Sequence, residues 1–185
     1  MTETDEPEYL IAPVRVDGAV FLAEPDPEWT EWYTREKHRI ATALGSRALA
    51  IEHVGSTSVP GLAAKPIIDI VLVVADSSDE ARYLPDLQDA GYRLKLREPG
   101  WHEHRMLIDH EPEVQVHVFS MGSSEAERMM VFRDRLRTHS EDRDLYQRAK
   151  RALAAKRWAY VQDYADAKSS VVETILLRAQ ADQQA

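Results

Sequence analysis

The residues of this chain best suited to chemistry are Gly55-Ser56-Thr57, then Lys65, then Asp69 inside the aliphatic run Ile67 to Val74. A Gly-Ser turn offers backbone N–H groups to a phosphate, and a carboxylate on the next strand suits the divalent cation, Mg²⁺ or Mn²⁺, that accompanies it. Strand side chains alternate between faces. A second carboxylate sharing a metal with Asp69 therefore belongs two residues on, where the sequence has Val71. Further along, Glu113, Gln115 and His117 alternate with Val114, Val116 and Val118. If that strand adjoins the one bearing Asp69, its polar face brings His117 and either Glu113 or Gln115 to the same cleft. An imidazole in the set favours Mn²⁺ or Zn²⁺ over Mg²⁺. Asp69 and His117 are the expected catalytic and metal-holding pair. Glu113 alone reads better as solvent-facing.

Several other side chains are candidates for the same cleft. Lys65 precedes Pro66 at the rim of the strand, within reach of a phosphate beside Ser56. Tyr164 and Lys168 are four apart on one helix face, so the lysine either holds a triphosphate tail or packs on the ring. Arg105 opens a hairpin whose second strand carries His117. Arg133 either lines an anion pocket or forms a structural pair with Asp134. His102-Glu103-His104 cannot all bind one ion from a strand and read as an exposed loop after Pro99-Gly100, from which His102 and His104 can reach the cleft. His53 and Glu52 flank the Gly-Ser turn and are placed to orient it. Ser56 lacks the elbow motif of a serine nucleophile.

Elements that position these groups follow from hydrophobic periodicity. Residues 19–23 read as a strand. Asp26-Pro27-Glu28 opens a helix that runs to Leu44 and stops at Gly45, with Trp29, Trp32, Tyr33, Ile40 and Leu44 spaced for packing. Strands are expected near 48–54 and at 67–74, the latter apolar enough to be buried on both faces at the centre of the sheet. A helix over 78–90 follows, then strands over 92–98, 105–109 and 113–119, the last two paired across His110-Glu111-Pro112. Residues 123–180 read as three helical segments with breaks near 138–140 and 157. The predicted class is α+β: a mixed sheet of four to six strands with a helical C-terminal half. Residues 1–17 are expected to be a flexible acidic start and 18–182 a single domain.

Composition limits the function. The chain has 185 residues, 44% of them hydrophobic, which suits one domain with a proper core. It has no cysteine, which excludes thiolate chemistry and fits a reducing, cytoplasmic location. No signal peptide or membrane-spanning run is visible, so no membrane partner is expected. The net charge of −9 argues against nucleic-acid binding. Cations nonetheless cluster over 133–157, as a solvated helical face or as part of an anion pocket.

The run from Ile51 to Ile70, containing His53-Val54-Gly55-Ser56-Thr57 and Lys65-Pro66-Ile67-Ile68-Asp69, closely resembles the signature of the GrpB (UPF0157) family. Asp26-Pro27-Glu28-Trp29, the stretch Phe132 to Arg137, and Tyr164 to Lys168 agree, and the resemblance spans roughly 18 to 178. It implies a polymerase-β-like nucleotidyltransferase fold and, in some bacteria, fusion of a related domain to dephospho-coenzyme A kinase. In that fold the Gly-Ser turn grips the phosphates of a nucleoside triphosphate while carboxylates hold two metals. Gly55, Ser56 and Asp69 match, and Val71 departs from the usual acidic residue. His117 stands at a position that is usually His in the family, and Gln115 where another His is common. The resemblance also favours a site role for Lys65. Two functions follow: transfer of a nucleotidyl or phosphoryl group from a nucleoside triphosphate to a small acceptor, or noncatalytic binding of a nucleotide or anion by a folding-accessory domain.

Overall fold

The computed structural model describes residues 6–111 and 113–183. In chain order the elements are β1 (Glu8–Tyr9), β2 (Arg15–Gly18), α1 (Glu28–Leu44), β3 (Ala50–Val54), β4 (Ile68–Val74), α2 (Leu84–Asp89) and β5 (Arg93–Glu98). They continue as β6 (His104–His110), β7 (Glu113–Ser120), α3 (Ser124–Thr138), α4 (Ser140–Ala154), β8 (Trp158–Tyr160), α5 (Val161–Asp166) and α6 (Ser169–Gln183). The main sheet has six strands in the order β1-β5-β6-β7-β4-β3. Its one parallel pair is β4 with β7, and every other neighbour runs antiparallel. The expected α+β class with a mixed sheet and a helical C-terminal half is what the chain adopts.

The sheet is buried on both faces by different partners. On one face Ile68, Ile70, Leu72, Val114, Val116 and Val118 pack against Trp29, Ile40 and Leu44 of α1 and Leu87 of α2. On the other, Val54, Val71 and Phe119 meet Ala126, Met129 and Met130 of α3. Helices α3, α4 and α6 share a second core of Leu136, Tyr146 and Ile175, into which the loop residues Val59 and Leu62 also insert. The aromatic residues of α1 are core, as their spacing predicts: Trp29 is buried, and Trp32 and Tyr33 pack on its cluster. Asp26 Oδ1 accepts from the Glu28 N–H at 2.9 Å, and Gly45 ends the helix with a φ of 56°.

Five expectations differ from the structure. β4 is not central but one strand from the edge, between β7 and β3, and its two-sided burial comes from α1 and α3. Residues 19–23 make only an isolated bridge, Ala23 with Ala64, because the segment crosses to the helical half, where Val20 packs with Ala154 and Tyr164. Within the stretch expected to be flexible, residues 1–5 lie outside the described residues, while β1 pairs with β5 and β2 with β8. The helix expected over 78–90 divides into a single turn at Glu80–Arg82 and the short α2, since Pro85 fits the first turn of a helix but not its interior. Among the described residues the helical half holds four helices rather than three, and β8 interrupts it. β6 and β7 pair as expected, although Pro112 in their connection lies outside the described residues.

A buried relay ties the glycine turn to the strand that follows it. Thr57 Oγ1 donates to the Ile67 carbonyl at 2.9 Å, so it must accept from His53 Nε2, 3.1 Å away. His53 stacks on Tyr33 at 4.6 Å, and burial pushes its pKa down to about 4. Thr57→Val keeps the shape but leaves both the imidazole N–H and the carbonyl without a partner. We expect a loss of about 1–3 kcal/mol in urea denaturation. A midpoint unchanged from wild type would show that the relay does not hold the turn.

Candidate functional site

The register of the sheet decides which side chains meet. Val54, the last residue of β3, lies opposite Asp69, and Asp69 lies beside Gln115 in the parallel pair of β4 with β7. Asp69, Gln115 and His117 thus share the face turned towards the helical half, one end of which is apolar and the other polar. His117 Nε2 stands 3.8 Å from Asp69 Oδ1. As the chain leaves β3, Gly55 passes directly over the Asp69 carboxylate with φ 69° and ψ −174°. A Cβ there would sit 2.2 Å from Asp69 Oδ2, so both the backbone conformation and the space demand glycine.

These groups line a cavity of about 880 Å³ between the sheet and the helices. Of the residues singled out in the sequence, Gly55, Ser56, Thr57, Lys65, Asp69, Gln115, His117, Tyr164 and Lys168 all lie on its wall. Arg105 and Arg133 do not. Arg105 donates to Glu80 at 2.6 Å and to the Glu103 carbonyl at 2.8 Å, which locks the start of β6. Arg133 bonds Glu52 at 2.7 Å, Asp134 at 2.8 Å and the His53 carbonyl at 3.1 Å, which clamps α3 to β3. The Arg133–Asp134 pair is therefore the structural one. Arg137 likewise donates to the Ser58 carbonyl at 2.8 Å. In the cationic stretch 133–157, Arg133 and Arg137 are thus anchors for α3, while Arg148, Arg151, Lys156 and Arg157 are exposed as on a solvated face.

The exception is Lys150. It is 2% exposed, lines the cavity, and donates to the Ala63 carbonyl at 2.5 Å. Burial, then the charge of Lys168, pushes its pKa down to about 7, with Asp69 pulling the other way. Burial also lowers Lys65 and Lys168, and the charge of Asp69 opposes it at both. Lys168 sits 4.7 Å over the Tyr164 ring. Three ammonium groups therefore gather around one carboxylate. Of the other acids on the wall, Glu98 is engaged with His104 and Glu125 with Arg128, while Asp166, bonded to Gln162, also acts on Lys168. The sequence carried a signal for Lys150 that was easy to pass over. Asp142, Tyr146, Lys150 and Ala154 repeat every four residues along α4 and are all buried, which places a lysine on the inward stripe of a helix.

The donor set does not fit the two-metal arrangement. Val71 fills the position of the second carboxylate and packs with Val54, Phe119 and Ala126. Asp69 and His117 remain as a pair, with Gln115 alongside and three cations close by. Among the described residues no group of three His, Asp or Glu side chains is gathered to hold a metal ion. Lys65, Lys150 and Lys168 are the cations that line this cavity. His104, expected in a loop, opens β6 and reaches the cavity, whereas His102 stays outside it.

Known proteins resemble this chain over most of its length. Residues 19–178 match the family described as "GrpB protein". A UPF0157 protein of Halalkalibacterium halodurans is 54% identical over 165 residues, covering 89% of this chain and 85% of that protein. A dephospho-CoA kinase of Mycolicibacterium paratuberculosis is 43% identical over 84 residues, which cover 44% of this chain and 19% of the kinase. Among solved structures, the conserved protein GrpB from Enterococcus faecalis aligns with a TM-score of 0.78 and 27% identity, covering 89% of this chain and all of that one.

Two measurements check the site's construction. Gly55→Ala should lose about 1–3 kcal/mol in urea denaturation from backbone strain alone, and more from the displaced carboxylate; a wild-type midpoint would refute the close approach. Lys150 binds its proton more weakly when folded than unfolded, so between pH 7 and 10 the unfolded chain holds more protons and stability rises with pH. Lys150→Met should flatten that rise in a series of denaturation curves. An unaltered slope would mean that Lys150 titrates normally.

Proposed function

Because the chain belongs to the GrpB family, we propose that its cavity binds a nucleoside triphosphate and transfers a nucleotidyl or phosphoryl group to a small acceptor. The observation that carries this reading is the convergence of Lys65, Lys150 and Lys168 on a single carboxylate inside one cavity. Burying three cations with one anion is unfavourable, and a polyanion entering the cavity removes that imbalance. A phosphate chain is the natural occupant, since it carries several negative charges and three lysines line the cavity.

Each group then has a role. The lysines neutralise the phosphates and the charge that develops on the leaving group. Ser56 and the turn Gly55–Thr57 border the same space and position the chain. Asp69 and His117, across the cavity floor, receive the acceptor. When the acceptor oxygen bonds to phosphorus, the bond from phosphorus to the leaving phosphate breaks, and the acceptor's proton passes to the protein. Any Mg²⁺ or Mn²⁺ that arrives on the triphosphate belongs to the substrate.

Val71 favours a second reading, in which the pocket holds a nucleotide or other anion without turnover. The partial likeness to dephospho-CoA kinase fits an accessory domain of that sort. Thermal denaturation with ATP, GTP, CTP and UTP, with and without Mg²⁺ or Mn²⁺, tests both. Nucleotide at a hundredfold excess over its dissociation constant should add about 2.7 kcal/mol of stability. The shift should shrink in Lys168→Met and weaken as pH rises through 7, where Lys150 loses its proton. A shift without release of pyrophosphate or nucleoside diphosphate supports the noncatalytic reading. No shift with any of the four nucleotides would remove the transfer reading and leave the second for an anion other than these.

A further inference from the structure

Behind His117 runs a chain of hydrogen bonds that the roles above leave unexplained. Glu98, at the end of β5, has its Oε2 2.7 Å from His104 Nδ1, and His104 Nε2 lies 3.0 Å from His117 Nδ1. The two imidazoles are nearly coplanar, 18° apart with centroids at 5.2 Å, as an in-plane N–H···N bond requires. His104 is 3% exposed, stacked on Phe119 and met edge-on by Trp101. Adjacent strands fix all three residues: Glu98 pairs with His104 across β5 and β6, and His117 pairs with Met106 across β6 and β7.

Donor and acceptor counting along this chain leaves one solution. A carboxylate only accepts, so Nδ1 of His104 carries the proton. His104 is enclosed between Phe119 and Trp101 at 3% exposure, a setting for a neutral ring, so its Nε2 is bare and must accept. The donor to it is therefore Nδ1–H of His117. A neutral His117 of that tautomer turns an unprotonated Nε2 towards the cavity, where it faces Asp69 Oδ1 across 3.8 Å. That gap is too wide for a direct hydrogen bond and holds two acceptors, so it calls for a group that brings its own proton.

We propose that Glu98 and His104 are positioning residues that hold His117 in the Nδ1–H tautomer, with Nε2 set to take the proton of the attacking hydroxyl. The inference rests on the transfer reading above and names its base. The hydroxyl O–H bond breaks as the oxygen–phosphorus bond forms. The proton goes to His117 Nε2, and the leaving phosphate departs with the electron pair of the broken phosphorus–oxygen bond. The imidazolium so formed donates through Nδ1 to His104 and lies beside the Asp69 carboxylate, both of which stabilise it. The division of labour resembles that of any base held by a third group: one ring takes the proton, and what lies behind it fixes the tautomer.

Long-range ¹⁵N NMR of histidine-labelled protein reads the tautomer directly and needs no ligand. In the wild type, His117 should show a protonated Nδ1 and a bare Nε2. In His104→Phe, which keeps the ring against Phe119 but removes the acceptor, that fixed tautomer should give way to a mixture, and Glu98→Leu should loosen it as well. An Nε2–H tautomer in the wild type, or an unchanged His117 in a folded His104→Phe, would overturn the proposal. Turnover is followed as release of pyrophosphate or nucleoside diphosphate from each of the four nucleoside triphosphates with glycerol as hydroxyl donor. His104→Phe should keep the wild-type nucleotide-induced thermal shift yet lose about a hundredfold in rate, and a rate equal to wild type would refute the role. Absence of release from wild type with all four nucleotides counts against the transfer reading alone, because the tautomer is measured separately.

Discussion

The contact between the Gly55 backbone and the Asp69 carboxylate governs how the rest of the site is built. Pairing of β3 with β4 sets Val54 opposite Asp69, so the chain must cross that carboxylate as it turns away. It can do so only without a side chain, since any Cβ would sit inside the oxygen's radius. Once the turn is pressed there, Thr57 bonds the start of β4 and His53 bonds Thr57. Arg137, Gln147 and Lys150 then fasten the helical half to the loop that follows the turn. The cavity is the space left between these anchored layers.

Charge is distributed unevenly in consequence. The protein as a whole is acidic, with a net charge of −9, yet its cavity concentrates cations. Arginines over 133–137 are neutralised by carboxylates and carbonyls in the framework, while three lysines point into the cavity with Asp69 as their shared counter-charge. Lysine suits the cavity because a desolvated ammonium can shed its proton when no anion is present, which an arginine does not do. Beside Asp69, Glu98, His104 and His117 form a hydrogen-bonded chain.

Much of this was legible in the sequence because it depended on local period or local chemistry. The alternation of Glu113, Gln115 and His117 with valines put one polar face beside Asp69, and the parallel pairing of β4 with β7 fulfilled it. The Gly-Ser turn, α1 with its packed aromatics, and the strands around Asp69 follow from the same rules. What was missed depended on partners distant in the chain. β8 is three residues long and exists through its pairing with β2, about 140 residues earlier, so no period within it could announce it. Arg133 and Lys150 look alike as cations on helices. One meets Glu52 and the other enters the cavity, according to how α3 and α4 sit on the sheet.

By itself, then, the amino-acid sequence determined the α+β class, the turn at Gly55, the strand face carrying Asp69 and His117, and the loss of a carboxylate at Val71. These follow from alternation, from the backbone freedom of glycine and from side-chain chemistry, all of which act over a few residues. Only the tertiary structure decided which cations face the cavity and that His104 lies behind His117 with Glu98 behind it. Those outcomes turn on strand register and helix placement, and a shift of one residue in either would send each side chain to the opposite face.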